Sequence, residues 1–249
     1  MLVRAVPAML AVAMAPGAMA LTPITCYSDR FAPFVITQGE RITGVDVDAL
    51  VEAGRRAGLA VTVSLLPWVR LEGELRRGPA SEVDCAFAYT FSEPRSAYMD
   101  FVRAPLKVTT YTLFVRRDRA SELRSLKELR GATIGMRRGF RVPGEFELMR
   151  LAGDLKVDEV DNDEANFLKL SAGRVDGVMT NSDVGQALIR EFKLANVVAV
   201  RPAITVVPTY VVFNKAKNLR HWVAPLEEAL GAMRSDGSYD RIRRRYLPE

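Results

Sequence analysis

The chain has 249 residues, 35 Lys and Arg against 30 Asp and Glu, a formal charge of +5, two cysteines and one histidine. That length suits one or two domains, and a basic excess this small and this scattered is not a nucleic-acid footprint. With His221 alone, and no His/Cys cluster at ligand spacing, neither a Ser-His or Cys-His nucleophile nor a metal centre is expected.

The N-terminus reads as a secretory leader. Arg4 is a short positive region and Ala5 to Met14 an apolar one; Pro16 and Gly17 break it, and Ala18-Met19-Ala20 is a cleavage pattern. The apolar run is too short to span a bilayer. The expectation is a signal peptide over 1–20, cleaved near Ala20, and a periplasmic product.

Strands and helices then alternate. Ile24 to Tyr27 reads as a strand. Val47, Leu50, Val51, Gly54 and Ala57 have helical spacing, closed by Gly58. Val61 to Leu66 is the next strand. Trp68, Leu71 and Leu75 mark a helix stopped near Gly78, and Cys85 to Tyr89 is a strand. This βαβαβ order predicts a parallel, doubly wound sheet. Pro105 to Val115 is β-branched and aromatic, as an extended segment should be.

A second unit repeats the design. Ser125 with Glu128 is a capping box for a helix ending at Gly131. Ala132 to Met136 is a strand. Pro143 suits the first turn of a helix with Phe146 and Met149 inside. Lys156 to Val160 is a strand. Ala165, Leu168 and Ser171 continue as a helix closed by Gly173. Val175 to Met179 is a strand, and Asp183 to Phe192 is helical. Ile204 to Phe213 is a second extended segment. Trp222, Leu226, Ala229, Leu230 and Met233 form one helical stripe; Tyr239, Ile242 and Tyr246 follow Gly237, with Arg241 and Arg243 to Arg245 on a solvated face. The predicted architecture is α/β, with two doubly wound lobes joined by two hinge crossings. One lobe spans 21–107 and 206–249 and the other 108–205, with a cleft between them.

Three local patterns bear on chemistry. The apolar strand at Cys85 to Tyr89 stops at the Thr90 hydroxyl, and Arg95 follows a turn later. A strand end that opens into a crevice and presents an arginine fork is a carboxylate site in many α/β proteins. Cys26 and Cys85 lie in predicted strands, and the sequence leaves open a bridge or two buried thiols. Asp46 and Asp48 begin a helix, where a carboxylate favours the dipole, while Asp84 and Asp176 precede strands as turn residues.

FAPF at Phe31 to Phe34, GVDVD at Gly44 to Asp48, the Pro67-Trp68 pair and TFSEPR…DF from Thr90 to Phe101 occur in that order. SLKELRGATIG at Ser125 to Gly135, LSAGRVDGV at Leu170 to Val178 and the final DGSYDRI…RY complete the series. In these pieces the chain resembles the bacterial extracellular solute-binding proteins of family 3, the polar amino-acid type of periplasmic receptor for ABC importers. The resemblance implies a type II periplasmic binding protein-like fold that closes over a small solute. It implies that Phe31 packs on the ligand, Thr90 gives a hydroxyl and Arg95 clamps a carboxylate. It further implies that the loop Arg138, Gly139, Phe140 and Arg141 turns backbone N–H groups toward that carboxylate. Trp68 either covers the ligand or fills the core, and Tyr89 lines the cleft or packs beneath it.

Two departures are visible. The strand end Thr180-Asn181 carries an amide where the family has an acid for the α-ammonium; Asp183 either substitutes for that acid or caps the next helix. The loop also gains Arg141, which points into the cleft or to solvent. Both departures favour a ligand with more negative than positive charge, an acidic amino acid or an organic acid. The expectation is a monomeric, non-enzymatic receptor that passes a small carboxylate to an ABC permease in the inner membrane, with no cofactor, metal or nucleic acid. The alternatives are a stand-alone sensor for a membrane receptor and a cyclohexadienyl dehydratase-like enzyme on the same fold.

Overall fold

The computed structural model describes residues 20–122, 126–142 and 144–247. The leader expected ahead of Ala20, the Ser125 cap and Pro143 lie outside them.

The first segment runs β1 (Thr22–Ser28), the short hairpin β2 (Ile36–Gln38) and β3 (Arg41–Thr43), then α1 (Val45–Ala57), β4 (Leu59–Leu65), α2 (Trp68–Arg76) and β5 (Cys85–Thr90). The turn-length α3 (Glu93–Ser96), β6 (Met99–Phe101) and the long β7 (Lys107–Arg116) follow. The second unit is β8 (Thr133–Arg137), α4 (Glu145–Leu151), β9 (Lys156–Val160), α5 (Asp163–Ser171), β10 (Gly177–Asn181), α6 (Ser182–Glu191) and β11 (Val197–Ala199). The chain returns through β12 (Thr205–Asn214) to α7 (Val223–Ser235) and α8 (Ser238–Tyr246).

Eight strands form one continuous path, β4-β1-β5-β12-β7-β10-β8-β9. At one end β1 pairs parallel with β4 and β5; at the other β8 pairs parallel with β9 and β10. The two crossings, β7 and β12, run antiparallel in the middle, with Lys107 opposite Thr209 and Tyr111 opposite Thr205. Each parallel end is doubly wound, so the molecule is two α/β lobes sharing a two-stranded joint. Parallel strands open a crevice at their carboxyl ends. Here those ends are Ser28, Thr90, Arg137 and Asn181.

Each lobe has its own core. Leu50 and Ala53 of α1 pack with Phe87, Phe213, Leu226 and Met233 in the first. Phe146 and Met149 pack with Ile134 and Met136 in the second, and Phe167, Val178 and Leu188 form a further cluster there that also takes in Phe34 and Val45 of the first lobe. Helix α1 starts at Gly44, whose φ of 126° and position admit no side chain: an added Cβ would lie 2.3 Å from the Phe34 carbonyl oxygen. That contact lays the start of α1 against the 31–35 turn, which borders the crevice.

One expectation needs correction. The helix expected to end at Gly131 is, over the described residues, a single 3₁₀ turn at Leu126–Leu129. Helix α5, where a helix was expected, turns Asp163, Asn166, Phe167 and Leu170 inward and leaves Leu168 50% exposed. Among the described residues, no helix is long and apolar enough to cross a membrane.

Cys26 and Cys85 lie opposite each other in β1 and β5, with Cα atoms 4.4 Å apart, and form a disulfide 59 residues apart in sequence. Cross-linking a loop of that length removes denatured-state entropy equivalent to about 4 kcal/mol. Replacing both cysteines by alanine should lower the unfolding free energy in urea by roughly 2–4 kcal/mol. Dithiothreitol should shift the parent by a similar amount and leave the variant unchanged; a parent indifferent to reductant would contradict the bridge.

Candidate functional site

The lobes meet over a narrow crevice whose cavity volume is about 30 Å³. The first lobe contributes Asp29, Phe31, Trp68, Thr90 and Arg95; the crossings contribute Lys107, Thr109, Tyr111 and Thr209; the second lobe contributes Arg137, Gly139, Phe140 and Arg141.

Arg95 sits in α3, one turn beyond the end of β5, and is only 8% exposed. Its Nη1 donates to the Thr90 hydroxyl at 2.8 Å and to the Thr90 carbonyl at 3.2 Å. Nη2 lies 3.4 Å from a carboxylate oxygen of Glu72. The guanidinium also lies over the Tyr89 ring at 5.1 Å and the Trp68 ring at 5.8 Å, both favourable cation–π distances. Burial works to raise the Glu72 carboxyl, but Arg95, Tyr98 and Arg76 bring it below its ordinary value. Glu72 thus stays an anion and orients Arg95 from behind. The sequence reading omits Glu72, although it lies four residues after Trp68 on the same helix face.

Trp68 both lines the crevice and packs: its ring stacks on fully buried Tyr89 at 4.5 Å. Tyr89 therefore lies beneath the crevice. Phe140 of the second lobe meets Phe31 at 5.6 Å and Trp68 at 5.5 Å, edge to face. Gly139 makes this approach feasible. Its φ is 76°, and an added Cβ would come within 3.0 Å of Trp68 Cδ1.

In the 137–141 loop the residue that reaches the crevice floor is Arg137. It is buried, and it crosses to the first lobe, donating to the Asp29 carboxylate and, at 2.6 Å, to the Arg30 carbonyl. Asp29 also accepts from the backbone N–H of Trp68 at 2.8 Å and of Arg30 at 2.7 Å. Arg138 turns outward onto Asp161 at 2.9 Å and does not line the crevice. The N–H groups expected to face a ligand are partly spent: that of Arg138 donates to Val160 and that of Phe140 to Arg137. Arg141 stands half-exposed on the crevice wall, donating to the Phe140 carbonyl at 2.7 Å and lying 3.7 Å from Glu159.

Thr180 and Asn181 are buried behind the crevice wall. The Asn181 carbonyl accepts from the N–H groups of Asp183 (2.8 Å) and Val184 (3.2 Å), so it caps α6, and its amide nitrogen donates to Thr109. Asp183 is therefore in the first turn of α6 and Asn181 is the cap.

Lys107, also absent from the sequence reading, opens β7 on the crevice floor and is 4% exposed. Its Nζ bonds the fully buried Asp46 at 2.5 Å and stands 3.3 Å from the centre of the Phe34 ring. Burial pushes the Asp46 carboxyl up and the Lys107 ammonium down, and their mutual attraction opposes both shifts. The Phe34 face favours the charged ammonium.

Residues 24–249 match the model of the bacterial extracellular solute-binding proteins, family 3. The "Probable amino-acid-binding protein YxeM" of Bacillus subtilis is 23% identical over 87% of this chain and 80% of its own length. A "Probable histidine-binding protein" of Neisseria gonorrhoeae is 25% identical over 88% of this chain and 80% of its own. Among solved structures, a histidine kinase sensor domain with similarity to periplasmic binding proteins superposes with a TM-score of 0.76 at 25% identity, covering 92% of this chain and 97% of that one.

Asp163 yields a prediction. It begins α5, fully buried, and burial raises its carboxyl from 3.8 to about 6 against the pull of Arg137. Its Oδ1 has no hydrogen-bond partner. A carboxyl raised on folding stabilises fully below its unfolded value and loses that contribution as pH rises through about 6. Asp163→Asn should therefore be more stable than the parent at pH 8, by up to roughly 3 kcal/mol. The difference should vanish by about pH 4. Thermal melts of both proteins across that range check the sign; a variant less stable at pH 8 would refute the account.

Proposed function

The chain belongs to the bacterial extracellular solute-binding proteins, family 3, and we propose that it captures a small carboxylate in the periplasm and delivers it to an ABC permease. The observation that carries this reading is the Arg95 fork. It is fixed by Thr90 and Glu72, walled by Trp68 and Phe31, and lies within a crevice that the second lobe covers. A desolvated guanidinium held in this way binds a carboxylate without reorganising.

Capture proceeds by hinge closure on the β7–β12 joint. The solute docks on the first lobe at Arg95 and Thr90. The second lobe then brings Phe140 against Phe31 and Trp68, and Arg137 onto Asp29 and the Arg30 carbonyl. The closed form gains those contacts only when the lobes meet, so a ligand that binds it better shifts the population toward it. A monomer suffices, because one chain supplies both walls. The relatives are named as binding proteins, and the one carboxylate lining the crevice among the described residues, Asp29, is held by Arg137. That arrangement favours binding over proton-transfer chemistry. A sensor role is the second reading, favoured by the likeness to the histidine kinase sensor domain.

Isothermal titration of protein freed of ligand by unfolding and refolding tests the reading. Small mono- and dicarboxylates and acidic amino acids are the probes. At least one should bind with micromolar affinity, and Arg95→Met should weaken it roughly 100-fold, the loss of a charge-assisted fork. Micromolar binding of a cationic amino acid, indifferent to Arg95→Met, would sink it.

A further inference from the structure

The charged groups that face the crevice are mostly cations, set among the hydroxyls of Ser28, Thr90, Thr109, Tyr111 and Thr209. Arg95, Lys107, Arg137 and Arg141 bring four cations to its walls. The Trp68 indole N–H is buried and has no partner. Among the described residues one carboxylate lines the space, Asp29, and it already accepts from Arg137 and two backbone N–H groups. The neighbouring amide of Asn181 spends its oxygen on capping α6 and its nitrogen on Thr109. Lys107 holds its own carboxylate, Asp46, whose side chain is fully buried and does not line the crevice.

We infer that this crevice takes a small organic acid without an ammonium group, such as a dicarboxylate or a 2-oxo acid, and that Lys107 is the specificity-determining residue. The inference rests on the carboxylate reading above and narrows it. A ligand ammonium would enter beside a buried cation and find the one carboxylate of this space already taken, Asp163 and Asp183 lying outside it, so it would lose its hydration without a charge-assisted bond in return. A second carboxylate or an oxo group instead meets donors already in place. Lys107 fixes the sign because its ammonium is pinned on the floor by Asp46 and the Phe34 ring and cannot swing away.

Matched pairs differing at the ammonium test this: succinate against aspartate, and 2-oxoglutarate against glutamate, by titration calorimetry on the full mature chain. In at least one pair the acid without nitrogen should bind at least 30-fold more tightly. Because Lys107→Met alone strands a buried carboxylate, the variant is Asp46→Asn with Lys107→Met, checked by circular dichroism and melting. It should narrow that gap to under about fivefold, mainly by weakening the organic acid. Amino acids that bind the parent within threefold of their partners would overturn the inference and leave the carboxylate reading standing. A folded double variant that keeps the 30-fold gap would remove Lys107 from the role. If no member of either pair binds and Arg95→Met changes nothing for other carboxylates, the carboxylate reading falls and this inference with it.

Discussion

Asp29 is the joint on which the site depends. One carboxylate, the first residue after β1, accepts the N–H of Trp68 and so anchors the first turn of α2. That helix carries Trp68 into the crevice and, one turn on, Glu72 behind Arg95. The same carboxylate receives Arg137 from the other lobe. Positioning of Arg95 and meeting of the lobes are therefore linked through a single, partly buried acceptor. A charged group partly removed from water gains from a matched partner, and Arg137 supplies it from the other lobe.

Lys107 and Asp46 set a second constraint at the hinge. Burying an ion pair is seldom a net gain over well-packed apolar residues. Here its packing does something an apolar pair would not. Asp46 lies in the first turn of α1, where a carboxylate is favoured by the helix dipole. Lys107 begins the crossing β7. The pair ties the crossing to the helix while leaving an ammonium on the crevice floor. Asp48, on the same turn, accepts from Tyr246 of α8 at 2.7 Å. The start of α1 is thus held from both the hinge and the C-terminal helix.

Much of the fold was legible because the two lobes alternate strand and helix with clear turn chemistry; β9, at Lys156–Val160, falls where the pattern puts it. The inner face of α5 was not legible, because it contains Asp163 and Asn166, residues that apolar periodicity discounts. Site residues divide along the same line. Thr90 and Arg95 follow a recognisable strand end. Arg137 was hidden by one residue: the strand was expected to stop at Met136, yet β8 includes Arg137, and neighbours on a strand point to opposite sides. So Arg137 faces in and Arg138 faces out. Lys107 was hidden because it interrupts a segment that otherwise reads as an apolar crossing, and its partner lies 61 residues away.

The family fixes the scaffold more firmly than the ligand. The relatives match at 23–25% identity, but a binding site is decided by a few side chains on a shared scaffold. In this chain those side chains include the Lys107 ammonium and, beside the crevice, the Asn181 amide. An amide that caps a helix cannot also neutralise an ammonium, and a lysine pinned on the floor repels one. Arg137 adds a third cation that is spent on closure. Desolvation makes every unmatched charge in such a crevice costly. An open cleft would screen a misplaced charge with water, whereas Phe140 packed against Phe31 and Trp68 leaves little room for it.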